Sequence, residues 1–349
     1  MRPENDLPDG IHFGLDEGLY HELPMISAHD VKQLLISGPD YWEHSHMNTE
    51  PDEEPEEDTF HRILGRAYHT RILEGKEAFD ARFADQFECP KDALDTNDEL
   101  KDELRKRDLA VGGNKKDLIA RLLADDPRTK IKAVLEADYL KQHDGKDFLD
   151  HKYIRRIHRA AAMIECHPGI RKCFLGGFPE VTVIWTSDGV RRRARLDYLK
   201  PAAITDLKSF ANKFGKPVNE AITLAFANAK HHIQAEYYTD AARAAVGHAK
   251  DGKITVHSGA APTKEWLNLL ASRQGDHEFF FVFQKTDGAP VARHKSFQCP
   301  GMRGAARRQI DEAISTYKQF MDVFGVDTPW VDITELEEFH DEDFPPWAA

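Results

Sequence analysis

The chain has 349 residues, 41% hydrophobic and 31% charged, which supports a sizeable core and suggests two domains or one large domain with an insertion. No apolar run is long enough to span a membrane, and the opening MRPENDLPDG lacks the basic and apolar regions of a signal peptide. The four cysteines, Cys89, Cys166, Cys173 and Cys299, form no close pair, which argues against a disulfide framework or a zinc site.

The net charge of −13 does not exclude nucleic acid, because the charge is patchy. Acidic runs lie at Glu50–Asp58 and Asp332–Asp343, and basic clusters at Lys101–Arg107, Lys152–Arg159, Arg191–Arg195 and Arg303–Arg308. Local field, not the total, governs phosphate binding.

Taken in order, Ser27 is a good N-cap with Asp30 in the first turn, so a helix is expected from there to about Ser37, where Gly38-Pro39 ends it. A second helix is expected over about Thr59 to Glu74. It carries Gly65 and His69 one turn apart on one face, where the small glycine would let a sheet or substrate approach. Taken alone, His69 reads more readily as a structural or surface histidine, and it is the carboxylates downstream that raise the ligand reading.

Residues from about Asn97 to Asp126 form a self-contained pattern. Leu100 and Leu104 mark one short helix, Gly112-Gly113 a turn, and Lys116–Leu123 a second helix with Leu118, Ile119, Leu122 and Leu123 inward. Together with Arg107-Asp108-Leu109, Gly113-Asn114-Lys115 and Asp117, this pattern resembles a SAP motif, a small helix–extended–helix module that binds DNA. The resemblance implies contact with the duplex backbone through Arg107, Lys115 and Lys116, which supplies affinity without reading sequence. Thr129–Phe174 then reads as helical, interrupted at His167-Pro168-Gly169.

The stretch from Glu180 to Lys208 reads as three short strands. Asp188-Gly189 is a strong hairpin signal. With a two-residue loop there, Glu180 falls opposite Asp197. With Pro201-Ala202 as the next loop, which is not a preferred pair, Asp197 falls opposite Asp206. Like charges set opposite one another destabilise a sheet, and a divalent cation with oxygen ligands is the evident reason to hold them there. Lys208, two residues past Asp206, projects from the same face, where a lysine can orient an attacking water. The competing account is an ordinary solvated sheet face.

A long helix is expected over about Pro217 to Val246, with Gln234 and Tyr238 on one face, able to hydrogen-bond a phosphate or a water. Glu278–Gln284 reads as a strand buried on both faces, Val291–Phe297 as its partner, and Gly304–Phe324 as a closing amphipathic helix. The acidic segment from 328 to 349 reads as a mobile tail.

The ordered set His69, Glu180, Asp197, Asp206-Leu207-Lys208 and Gln234…Tyr238 resembles the PD-(D/E)xK nuclease superfamily, in its RecB-like group, near the phage-type exonuclease VIII (RecE) and lambda exonuclease enzymes. That likeness implies an α/β, restriction-endonuclease-like core: a central mixed sheet flanked by helices, with a small helical insertion. The core would comprise residues 1–90 and 129–327, with the SAP-like insertion at 91–128. It implies Mg²⁺, for which Mn²⁺ would substitute, held by His69, Asp197, Asp206 and the Leu207 carbonyl. Lys208 would position the water, Glu180 would be a further catalytic acid, and Gln234 with Tyr238 would hold DNA or water. Arg193 and Arg195, in the basic run beside the site, are expected to meet DNA. The implied activity is hydrolysis of linear duplex DNA from 5′ to 3′, leaving 3′ single strands. The implied setting is the cytoplasm of a bacterial or phage-infected cell, where a ring of three or four subunits works with a RecT/Beta-like annealing protein in recombination. The alternatives are a single-strand exonuclease or structure-specific endonuclease on the same core, a non-catalytic SAP-type DNA-binding protein, and a protein-interaction scaffold.

Overall fold

The computed structural model describes residues 7–49, 60–333, 338 and 340. The acidic run 50–58 and most of the tail 328–349 lie outside the described residues. Two compact units are present: Met1–Glu57 with Met163–Ala349, and Asp58–Ala162. No helix among the described residues is long and apolar enough to cross a membrane.

Among the described residues there are nine strands: β1 (Gly10–Phe13), β2 (Phe83–Asp85), β3 (Asp147–Leu149), β4 (Phe178–Ser187), β5 (Val190–Leu199), β6 (Ala203–Phe210), β7 (Ile254–Val256), β8 (Glu278–Lys285) and β9 (Ala292–Ser296). The first unit is an α/β structure built on a mixed seven-stranded sheet of order β7-β1-β4-β5-β6-β8-β9. The β1–β7 and β6–β8 pairs are parallel and the rest antiparallel. Its core includes Val181, Val183, Trp185, Leu196, Ile204 and the Phe279–Phe281–Phe283 row, packed against the helix His231–Asp251 through Ile233, Tyr237 and Ala241.

The β4–β5 hairpin has the expected register. Asp188 and Gly189 both take positive φ, 54° and 77°, as a two-residue turn of matching twist requires, and Ser187 pairs with Val190. Ser27 and Asp30 form a reciprocal capping box on the helix Ala28–Leu34. The Pro201-Ala202 turn also forms, with Leu199 opposite Ile204 and the Lys200 N–H donating to the Ala203 carbonyl.

The expected single helix over 217–246 is two helices, Val218–Asn228 and His231–Asp251. Lys230 between them takes φ 50°, and no glycine or proline marks the break. The Lys32 ammonium donates to the freed Ala229 carbonyl at 2.8 Å, satisfying one of the acceptors that a helix end leaves open. The second of these helices is tied to the closing helix Pro300–Phe324 by charge. Glu236 accepts from Arg303 (2.8 Å) and Arg307 (2.6 Å), Asp240 from Arg307 (2.6 Å), and Asp276 from Arg243 (2.6 Å) and Arg303 (3.0 Å). Much of the basic cluster at 303–308 is thus internal.

The second unit is wider than the 91–128 segment. It holds one core of Leu64, Tyr68, Phe79, Phe83, Leu149 and Ile157, and another of Leu100, Leu104, Leu118, Leu122 and Ile131 under the helices Asn97–Lys106 and Lys115–Asp125. The 129–174 region is less helical than expected, since β3 interrupts it to pair in parallel with β2. A Cβ at Gly65 would meet nothing within 4 Å, so no close approach requires that glycine.

Removing one side of a buried ion pair leaves the other uncompensated. Glu236→Ala is expected to lower stability by about 2–3 kcal/mol, below the full buried-pair cost because Arg303 and Arg307 keep some water. Urea denaturation checks this, and a change under about 0.5 kcal/mol, the ordinary surface range, would show the clamp to be inert.

Candidate active site

The candidate site forms where the central sheet fails to pair. Along β4 and β5, Pro179 faces Tyr198 and Val181 faces Leu196, but Glu180 between them drops out of the ladder with φ 52°. That region is sparsely populated for a residue with a Cβ, and such strain concentrates at functional positions. On the other side of β5 the ladder to β6 ends at Tyr198–Thr205, one position short of Asp197 and Asp206. The strands separate there, and the Asp197 side chain accepts the Leu207 N–H at 2.7 Å in place of a backbone partner. β5 therefore presents Asp197 at a gap on both flanks.

The acids gather around that gap. A carboxylate oxygen of Glu180 and one of Asp197 lie within 4.8 Å of one another. Asp206 is wholly buried, with its carboxylate 2.7 Å from the Lys208 ammonium and 3.3 Å from the Gln234 amide. Burial pulls the Lys208 pKa down, but Asp206, Asp197 and Glu180 outweigh it and leave that pKa above the ordinary lysine value. Lys208 thus stays charged at neutral pH. Gln234 also hydrogen-bonds Tyr238, whose hydroxyl burial raises well above the usual phenol range. Gln234 so links the buried carboxylate to the tyrosine, one helical turn apart on the helix His231–Asp251.

Two further groups belong here that the sequence reading did not assign. Lys32, from the helix Ala28–Leu34, is pulled down to about 8 by burial and by repulsion from Lys208 and Lys230, against the attraction of Asp206. His231 is pulled down to about 3 by burial, with Lys208 and Lys32 adding repulsion, so it is a neutral imidazole. Lys32 carried no signal beyond its place in an amphipathic helix, whereas His231 stood one turn before Gln234.

The remaining expected residues divide between the two units, and several are engaged internally. His69 belongs to the second unit, at the end of the helix Phe60–His69. Arg193 donates to the carbonyls of Tyr20, His21 and Leu23 and stacks over the Tyr20 ring. Arg195 pairs with Glu180 at 2.6 Å and donates to the Leu15 carbonyl at 2.8 Å. Both hold the N-terminal segment Leu15–Leu23 against the sheet in this structure. Arg107 is likewise engaged, by Glu103 (2.8 Å), Asp125 (3.2 Å) and Thr129 (3.0 Å). Lys115 lies 3.4 Å from Asp95, while Lys116 is exposed.

The donor set fits a hard divalent cation: carboxylate oxygens of Glu180 and Asp197 within 4.8 Å of one another, with the Asp206 carboxylate beside Lys208 and no thiolate among them. A search of curated proteins finds no match to this chain. A SAP domain family model matches residues 96–126. These residues form a SAP domain. Their two helices each begin with a reciprocal capping box, Thr96 with Glu99 and Asn114 with Asp117, which fixes where each starts. Among solved structures, the chain is similar to a crystal structure from Eubacterium rectale named "Putative exonuclease", at 12% identity and a TM-score of 0.33, over 79% of this chain and 90% of that one. A TM-score that low carries no weight for activity.

The Lys32 environment has a consequence for stability in metal-free buffer. Its folded pKa of about 8 lies below the unfolded lysine value, so between those two pH values the unfolded chain binds more protons. Stability therefore rises with pH through that window, and below it the cost of the enclosed charge is fully present. The wild type is expected to gain stability relative to Lys32→Met as pH rises from about 8 to about 10.4. Parallel denaturation curves at the two ends of the window check this, and a constant difference between the proteins would contradict it.

Proposed function

We propose that the protein is a metal-dependent deoxyribonuclease that degrades linear duplex DNA from its ends. The observation that carries this reading is the buried Asp206–Lys208 pair, 2.7 Å apart, set beside Asp197 and Glu180 where one strand ladder is interrupted and another ends. Asp197, Asp206 and the Leu207 carbonyl would hold Mg²⁺, with Mn²⁺ able to substitute, and His69 joins the ligand set on the strength of the sequence resemblance. Charge neutralisation at the phosphate and a lowered pKa for water are what a bound Mg²⁺ supplies.

The chain's own residues do the rest. Lys208, held protonated by its carboxylates, donates to the attacking water oxygen and fixes its approach. Gln234 fixes the Asp206 carboxylate and the Tyr238 hydroxyl relative to one another, and the tyrosine O–H is a donor for a phosphate oxygen. Glu180, with Arg195 as its partner, is the further acid. The SAP domain binds duplex backbone through Lys115 and Lys116, and a negatively charged chain reaches DNA through such local positive surfaces. A 5′ to 3′ direction leaving 3′ single strands, a ring of three or four copies, and an annealing protein as partner complete the reading.

Blunt linear duplex labelled separately at its 5′ and 3′ ends tests it. Early release of the 5′ label with Mg²⁺, none with EDTA and none from Asp206→Ala is expected, and Lys208→Ala should slow release by about 10²-fold or more. Early loss of the 3′ label would overturn the direction. Full activity in Asp206→Ala would overturn the site.

A further inference from the structure

Strand alternation gives β6 two different faces. Asp206 and Lys208 point to one, and Ala203, Thr205 and Leu207 to the other. On that second face lies an open cleft of about 840 Å³, lined by Ala203 and by Phe280 of β8, which pairs with Thr205. Its size falls in the range of small-molecule sites. Three cations surround it: Lys172 from the helix Pro168–Cys173, Lys200 from the β5–β6 turn, and Arg273 after the helix Lys264–Ala271. They face a single carboxylate, Glu278.

Arg195, Arg243, Arg303 and Arg307 are all matched to acids. Among the described residues, Lys172, Lys200 and Arg273 have no carboxylate partner. Lys200 donates only to the Lys172 carbonyl at 2.9 Å, and Arg273 to the Asp276 carbonyl at 2.6 Å, with its Nε buried and unpartnered. Between the cations the walls are apolar: Phe280 and Leu269 offer flat and aliphatic surface. A ligand that satisfies both halves carries a dianionic group on one end and a flat, poorly hydrated ring on the other.

We propose that this cleft binds a nucleoside 5′-monophosphate unit, with its phosphate at Lys172, Lys200 and Arg273 and its base against Phe280 and Leu269. The unit is either a free nucleotide or the 5′-phosphorylated terminal residue of a single strand; both present the same chemistry. The site lies on the opposite sheet face from Asp206 and does not depend on the nuclease reading.

Calorimetric titration in EDTA tests it, with 2′-deoxyadenosine 5′-monophosphate, the unphosphorylated nucleoside, inorganic phosphate and a 5′-phosphorylated trinucleotide as probes. The monophosphate is expected to bind wild type and Asp206→Asn alike, and at least about tenfold more tightly than nucleoside or phosphate alone. Lys200→Glu with Arg273→Glu should weaken it by about tenfold or more. Lys172→Glu, on an exposed position, repeats the test should the double variant fail to fold. Tighter binding of the trinucleotide identifies a strand end as the source, and equal binding identifies the free nucleotide. Absence of binding, or binding that disappears in Asp206→Asn and survives the cleft variants, would overturn the proposal.

Discussion

The first unit is organised around one charge-compensation problem. Asp206 is wholly buried in the middle of a sheet, close to two other acids, and an ionised carboxylate in that position is costly unless it is paired. Lys208 meets the need from the same strand, two residues on, and its own burial is offset by Asp206, Asp197 and Glu180 together. Neither side of this arrangement can be removed alone without stranding the other. The surrounding architecture serves it: β4 skips one pairing position with β5 at Glu180, the β5–β6 ladder ends beside the acids, and the Leu207 N–H turns to the Asp197 side chain.

The helix break at Lys230 belongs to the same arrangement. Ending one helix at Asn228 and starting another at His231 sets Gln234 within 3.3 Å of Asp206, and Lys32 accommodates the break by binding the Ala229 carbonyl. The Glu236–Arg303–Arg307 clamp then fixes the far side of that helix against the closing helix. One face of His231–Asp251 meets the carboxylates and another meets the arginines, so the position of Gln234 and Tyr238 is determined from both sides.

Local chemistry made part of this legible in the sequence. Asp188-Gly189 announced its turn because both residues tolerate positive φ, and the flanking pairs Val181–Leu196 and Tyr198–Thr205 keep the register that followed from it and from the next turn. Ser27 with Asp30, and the leucines of the SAP domain, were equally visible because each signal lies within one helix. The left-handed backbone at Glu180 and the break at Lys230 were not, since no glycine stands at either and tertiary packing imposes both. The arginines misled for a related reason. A basic run such as Arg191–Arg195 reads as a phosphate surface in the sequence, whereas in the fold Arg193 meets the carbonyls of Tyr20 and Leu23 in the N-terminal segment and Arg195 meets the strand neighbour Glu180. Short strands such as β1 and β7 carry too few residues to show a period and exist because their neighbours complete them.

The central claim is that Asp197, Asp206 and Glu180 are gathered to hold a divalent cation. Calorimetric titration of Mn²⁺ into the full-length protein, alongside Asp197→Asn and Asp206→Asn, tests it most directly. The account predicts saturable binding to the wild type that is lost or weakened by at least about tenfold in each variant, with the fold retained. Equal affinity in all three proteins would contradict it.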